Sequence, residues 1–199
     1  MHKFNFPILS IINSKLIVFT DRFGDFVEKL PMYLKYLIVS FLVICFLLPG
    51  IKSIPPLDRD EARFSQASKQ MLEDQNYVVI KFQDELRAKK PIGIYWVQSL
   101  SAYIFGKESI TSYRIPNVIA FITLTLVFSA FVYNIAYRYF DVAFSTAINY
   151  SLLTSILLSI IFGFAIEIKQ AKTDSILLML CTIQQLIFWK IYNLSLIHI

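Results

Sequence analysis

Residues 115–137 read IPNVIAFITLTLVFSAFVYNIAY, 23 uncharged residues between Arg114 and Arg138. A hydrocarbon core about 30 Å thick is spanned by roughly 20 such residues in a helix. Helix is the open conformation for a single segment of this kind, because lipid offers no partner to unpaired backbone groups. Three further runs flank it. Val142 to Ile166 is free of charge between Asp141 and Glu167, and a fourth run starts after Asp174 and continues through Trp189. Lys190 interrupts it before the mostly apolar Ile191 to Ile197. Upstream, Tyr36 to Ile51 has 16 residues between Lys35 and Lys52. It is slightly short, and the two lysines extend it by snorkelling their ammonium groups outward.

The remaining composition agrees with a membrane chain. Of 199 residues 56% are apolar and 17% charged, against about 25% charged in soluble domains. Disorder and collagen-like or linker-rich architectures are excluded on the same ground. Fifteen of the 33 charged side chains fall between Lys52 and Pro91, so one polar loop concentrates the chemistry. The net charge of +5 comes from scattered basic residues without a basic stripe, which argues against nucleic acid as a partner. Cys45 and Cys181 sit inside apolar runs as small hydrophobes. His2 and His198 lie at opposite ends, which disfavours a histidine metal site or a Ser–His–Asp triad.

Ile92 to Gly106 is a fifth apolar piece, of 15 residues, beginning after Lys89-Lys90-Pro91. Its length favours an interfacial or re-entrant helix over a span, with Tyr95, Trp96 and Tyr103 at headgroup level. This choice controls topology. Lys3, Lys15, Arg22, Lys29 and Lys35 place the N-terminus in the cytoplasm by the positive-inside rule. The loop from Lys52 to Arg114 is then outside. If residues 92–106 do not cross, segment 167–174 faces the same compartment; if they cross, the two loops cannot share a site. Phe4 to Thr20, broken by Pro7 and Lys15, reads as an amphipathic helix on the inner leaflet.

The expected fold is an all-α integral membrane domain of about four transmembrane helices with interfacial helices in the first outside loop. Its segments are 1–33, a cytoplasmic or interfacial N-terminus; 34–51, the first span; and 52–114, the outside loop. Spans 115–137, 142–166 and 175–195 follow, with a second outside loop at 167–174.

Within the first loop, Asp58 with Glu61 three positions on is a capping-box pattern. Phe64, Ala67, Met71 and Leu72 then share one face of an amphipathic helix. Asp60 and Glu61 can simply complement the helix dipole, or act on an incoming hydroxyl. Arg87, Lys89 and Lys90 can meet ordinary lipid phosphates, or hold the phosphate of a lipid substrate. Asp174 can cap the fourth helix, or add a second acid to the same surface.

At these residues the chain resembles a known family. Asp60-Glu61-Ala62-Arg63-Phe64, followed after about 30 positions by Lys90-Pro91-Ile92-Gly93-Ile94-Tyr95-Trp96, is similar to the first periplasmic loop of the aminoarabinose transferase (ArnT-like) branch of integral membrane glycosyltransferases, relatives of the protein O-mannosyltransferases of the GT-C fold. Tyr77-Val78-Val79, Phe105-Gly106, Tyr113-Arg114-Ile115-Pro116 and the stretch from Glu167 to Ser175 are similar too. The likeness covers roughly residues 34 to 190. It implies the N-terminal part of a GT-C membrane domain in the bacterial inner membrane. It implies an enzyme that moves a sugar from a polyprenyl-phosphate carrier to a lipid A-like or other envelope acceptor, with inversion, at the periplasmic face. Asp60 and Glu61 then match the catalytic acids. Arg63, Lys90, Tyr95 and Asp174 match positions that bind substrate or phosphate. Ala88 stands where some members carry an acidic metal ligand, which argues against a divalent metal. Family chains are much longer, so this chain reads as a fragment that need not be active by itself. The rival from another class is a non-enzymatic four-helix membrane scaffold. A transporter is disfavoured because the spans carry no ionisable residue of the kind that marks a transport path.

Overall fold

The computed structural model describes residues 29–56, 58–87, 89–140, 142–161 and 166–197. The expected helix at Phe4 to Thr20 lies outside them. The chain divides into two compact units, Met1–Ile38 and Val39–Ile199. The first unit contributes the start of helix α1, Met32–Leu47, a mostly apolar helix whose one charged residue is Lys35. The second holds the rest of α1 and everything that follows. Its elements are α2 (Arg59–Glu73), the short strands β1 (Lys81–Phe82) and β2 (Glu85–Leu86), α3 (Gly93–Phe105), α4 (Ile110–Tyr139), α5 (Phe144–Ile160) and α6 (Asp174–Ile197).

Helix α2 starts where the sequence places its cap. Asp58 is extended, and its carboxylate accepts from the Asp60 amide at 3.1 Å. Phe64, Ala67 and Met71 fall on one face and pack against Ile94 and Tyr95 of α3, with Ile80, Ile92 and Ile176 around them. The Phe64 and Tyr95 rings lie 5.5 Å apart. Between the two helices, β1 and β2 form a two-residue antiparallel hairpin. The Gln70 amide clasps its turn, donating to the Gln83 carbonyl at 2.8 Å and accepting from the Gln83 amide at 3.0 Å. That clasp holds Gln83 at a φ of 56° without glycine.

Helix α3 is polar on the inside and apolar on the outside. Gln98, Ser99 and Ser101 are buried, while Trp96, Leu100, Tyr103 and Ile104 are exposed. The inner face is fully used: Ser68 donates to Gln98 at 2.8 Å, Ser99 donates to the Ser68 carbonyl at 2.9 Å, and Ser101 donates to the Ser112 carbonyl at 2.5 Å. The last bond has a local cause. Pro116 lies inside α4 and has no N–H for the carbonyl four residues back, so the Ser101 hydroxyl takes that place. Thirteen residues give α3 a length of roughly 20 Å, short of a bilayer core.

Helices α4 and α5 pack through small residues: Ser129 of α4 meets Ser151 and Ser155 of α5, and Ala147 of α5 is also fully buried. Ser129 donates to the Ser151 carbonyl and meets Ser155 directly. Small residues that permit close approach and hydrogen bond across the seam are a packing device of membrane helices. Helix α6 runs in the same direction as α4. Near its start Ile176 and Met179 line a groove with Ile115, Pro116 and Ile119 of α4. Near its end Trp189 meets Phe131 at 5.7 Å, and the Tyr139 hydroxyl donates to Asn193 at 2.6 Å.

Two helical stretches, Ile110–Tyr139 and Asp174–Asn193, are long and apolar enough to cross a membrane, with mean hydropathies of 2.2 and 1.4. Tyr33–Phe46 of α1 and Thr146–Ile160 of α5 are apolar but shorter. Only 6% of the most apolar part of α6 is buried. A helix at the core of a soluble domain would be mostly buried.

A candidate functional site at the start of α2

The segment that follows α1 turns sharply at Gly50, whose φ is +87°. A Cβ there would lie 2.5 Å from the Ile54 side chain. The turn presents the carbonyls of Ile51, Ile54 and Pro55 to a single guanidinium. Arg114 donates through Nη1 to Ile51 and Ile54 at 2.7 Å each, and through Nη2 to Pro55 at 3.3 Å. Its Nε donates to Glu61 Oε1 at 2.7 Å. Both side chains are fully buried. The planar fork of arginine suits this task, since one ammonium could not serve such divergent acceptors.

Glu61 joins a fourth segment to the site. Its Oε1 also accepts from the Ala171 amide at 3.0 Å. The Ala171 carbonyl accepts from Gln98 of α3 at 3.0 Å, and Asn117 of α4 donates to the Gln170 carbonyl. Residues 170–172 are therefore docked on the start of α2, on α3 and on α4 together. Lys172 completes the dock, 2.7 Å from Asp58 Oδ2 and 3.5 Å from Glu167 Oε2. The Lys172 hydrogen bond and the Asp60 amide hold the Asp58 carboxyl below its ordinary 3.8. Partial burial works against the Lys172 charge, but the hydrogen bond to Asp58 and the nearby Glu167 carboxylate outweigh it and lift its pKa above 10.5.

The residues singled out in the sequence divide among several places. Asp60 is exposed at the first turn of α2, with Arg63 Nη1 3.6 Å from its Oδ1. Glu61, its neighbour, points the opposite way into the buried cluster. Asp174 opens α6 and is exposed, and Ile176 two positions on packs against the Phe64–Tyr95 core. Tyr95 is fully buried, and its hydroxyl accepts from Arg87 Nε at 2.9 Å. Lys90 is exposed and makes no hydrogen bond or ion pair among the described residues, although Ile92 two positions on packs against the same core. The start of α2 and the loop before α6 thus meet directly, whereas Lys90 touches neither Asp60 nor Asp174.

Sequence reasoning did not single out Arg114 or Lys172. Arg114 sits at a span boundary, where a basic residue normally serves as an anchor. The available signal was that it is an arginine followed two positions later by proline, inside a stretch already noted for its likeness. Among the described residues, no group of three or more His, Cys, Asp and Glu side chains gathers at metal-holding distance. Alanine at position 88 supplies no ligating side chain.

An apolar groove of about 300 Å³ runs between α3, α4 and α6, lined by Val97, Leu100, Ile104, Ile115, Ile119 and Met179 among others. It lies beside the first turn of α6, which carries Asp174.

Comparison with known proteins gives this geometry a context. An undecaprenyl phosphate-alpha-4-amino-4-deoxy-L-arabinose arabinosyl transferase from Yersinia pestis (strain Pestoides F) is 34% identical over 73 residues, 37% of this chain and 13% of the relative. The protein of the same name from Shewanella sediminis is 26% identical over 105 residues, 52% of this chain and 18% of the relative. The matched stretches thus span less than a fifth of those relatives' length. No solved structure matches. The family model described as dolichyl-phosphate-mannose-protein mannosyltransferase matches residues 89–193, more than half of the chain, and the chain belongs to that family.

Proposed function

We propose that this chain forms the donor-side part of an inverting glycosyltransferase that takes a sugar from a polyprenyl-phosphate carrier. The observation that carries this reading, beside family membership, is the docking of residues 170–172 onto the start of α2. It supports a single water–lipid surface bearing Asp60, Arg63 and Asp174. In this reading α1, α4, α5 and α6 span a bacterial inner membrane as part of a GT-C domain. The N-terminus is cytoplasmic, and the loops at 52–114 and 167–174 are periplasmic. The short α3 lies at the interface with its apolar outer face toward lipid.

An acceptor hydroxyl or phosphate oxygen, from a lipid A-like or other envelope acceptor, attacks the anomeric carbon opposite the leaving group. The bond from that carbon to the carrier's phosphate oxygen breaks, and the phosphate departs with the electron pair. Asp60 takes the hydroxyl proton, or orients a phosphate acceptor that has none to give. Arg63 and Lys90 stabilise charge growing on the departing phosphate, which is commonly the largest electrostatic contribution. Asp174 supplies the second acid of the surface. Glu61 positions rather than reacts, since its carboxylate is buried on Arg114 and Ala171. The apolar groove between α3, α4 and α6 suits the polyprenyl tail.

The test is sugar transfer in membranes supplied with a labelled polyprenyl-phosphate sugar, comparing the chain with Asp60→Asn. Loss of a general base typically lowers turnover by about a hundredfold or more. Equal transfer by both would remove the role from Asp60. The exposed apolar faces of α1 and α6 favour a second reading, a non-enzymatic membrane scaffold. That reading would be selected by an unaltered chain that transfers nothing but associates stably with partner helices.

A further inference from the structure

One cation of the first loop is built into a seat of its own. Arg87 is half-buried, and its guanidinium lies 5.4 Å from the centre of the Phe64 ring and 5.9 Å from that of Phe82. Its Nε donates to the buried Tyr95 hydroxyl at 2.9 Å, and its backbone amide donates to the Ile80 carbonyl at 2.9 Å. The side chain is thus fixed at its root by the hairpin and at its head by two rings and a phenol. Yet its two terminal nitrogens carry no hydrogen bond, and no carboxylate pairs with it among the described residues. Every other arginine in the described loop and site that is held by a side-chain partner, Arg63 and Arg114, faces an acid.

A partly desolvated guanidinium keeps its charge and needs an anion. Aromatic faces hold it in place and leave its outward edge available, and that edge is a planar fork matched to a phosphate's two oxygens. Lys89 and Lys90 follow within three residues, both exposed and unpaired among the described residues, so this edge suits the single charge of a sugar-bearing phosphodiester and still better the second charge that develops as the phosphate departs.

We propose that Arg87 is the anchor that grips the carrier's phosphate, with Tyr95 as the positioning residue that aims it and Lys89 and Lys90 as mobile neighbours. This rests on the polyprenyl-phosphate reading above and adds to it. The fixed fork belongs to Arg87, and buried Tyr95 acts through it without touching substrate.

Binding tests this without requiring turnover. The full chain in a neutral detergent is titrated with farnesyl phosphate, farnesol, inorganic phosphate and phosphatidylglycerol micelles, with affinity read by thermophoresis. Farnesyl phosphate is expected to bind at least tenfold more tightly than farnesol or phosphatidylglycerol, and inorganic phosphate more weakly still. Arg87→Gln should weaken farnesyl phosphate by about ten- to a hundredfold, the usual worth of charged hydrogen bonds. Arg87→Lys, which keeps the charge but loses the fork, should also weaken it. Tyr95→Phe should weaken it several-fold, with unchanged farnesol affinity and unchanged helical circular dichroism. Lys81→Gln, on the exposed hairpin, serves as the control. Unchanged affinity in Arg87→Gln, or full retention in Arg87→Lys, overturns the anchor and leaves the donor reading standing. Equal affinity of the unaltered chain for farnesyl phosphate and farnesol overturns both. Tighter binding of phosphatidylglycerol than of farnesyl phosphate assigns the seat to bulk lipid and overturns the anchor alone.

Discussion

Removing the Arg114 guanidinium is the sharpest perturbation of this fold. Arg114→Leu would leave the Glu61 carboxylate buried with the Ala171 amide but without its cation, and would strip the carbonyls of Ile51, Ile54 and Pro55 of one shared donor. Breaking a buried ion pair from one side costs about 3–5 kcal/mol, because the partner's charge remains desolvated. Glu61→Gln is the converse break, leaving a buried guanidinium held only by neutral oxygens, and falls in the same range. If the pair is the hub, removing both charges must cost less than the two single changes added, by about 1–3 kcal/mol, as for directly contacting residues. Denaturant unfolding in mixed micelles, followed by far-ultraviolet circular dichroism, measures all three variants. Hydrogen exchange at the Ala171 amide gives a local reading. A loss of 3 kcal/mol at the dock corresponds to about a hundredfold more exchange there. Strict additivity of the two changes, or an Arg114→Leu cost below about 1 kcal/mol, would refute the hub.

Two further outcomes are expected. Carbon-detected titration of the Asp58 carboxyl should give a midpoint below 3.8, rising toward 3.8 in Lys172→Met. The depressed Asp58 value and the raised Lys172 value together mean that this contact contributes stability between roughly pH 4 and 10.5. It is lost as pH falls through the Asp58 value or rises through that of Lys172. In a background lacking Cys45 and Cys181, cysteines at exposed Gln66 and half-buried Lys169 should both react with an impermeant thiol reagent from outside, whereas one at exposed Phe140, beyond the far end of α4, should not. Opposite sidedness of positions 66 and 169 would break the shared surface.

Legibility in the sequence followed the range of the interactions. The uncharged run after Arg114 and the run after Asp174 announce α4 and α6, because exclusion of charge over 20 residues has few other causes. The cap at Asp58 and the Phe64–Ala67–Met71 stripe are equally local and coincide with α2. The capping box is where local reasoning stops. Spacing alone turns Glu61 back toward the helix start, but Arg114, 53 positions away, draws it inward. No short-range pattern encodes that choice. The polar inner face of α3 was hidden for a related reason. Residues 92–106 read as an apolar piece because hydropathy averages around the helix, and the burial of Gln98, Ser99 and Ser101 depends on partners in α2, α4 and residue 171. The hairpin at residues 81–86 lacks the glycine that usually marks such a turn. Gln70, on another element, supplies the restraint that glycine would have made unnecessary.

The distribution of charge around the site has a consequence for how its parts divide the work. Each acid at the start of α2 faces a cation of its own: Asp58 has Lys172, Asp60 has Arg63 and Glu61 has Arg114. Two of these cations come from outside α2, and their pairing is what joins residues 170–172 and α4 to it. The acidic end is therefore close to neutral and structurally committed, with only the exposed Asp60–Arg63 contact, at 3.6 Å, loose enough to exchange for a ligand. Exposed ion pairs of that kind contribute about 0–1 kcal/mol, so opening one costs little. Past the hairpin the balance reverses. Arg87, Lys89 and Lys90 have no acidic partners among the described residues and stand at the entrance to α3. A donor whose phosphate sits on that positive edge would extend its sugar back toward Asp60 across the Phe64–Tyr95 core, on which both halves pack. The rigidity of that core would then set the distance between the leaving phosphate and the acid. On this view a substitution such as Phe64→Leu, which loosens the seat of Arg87 without touching a charge, should depress turnover more than it raises the KM for the donor. The opposite partition would mean that the two halves act independently.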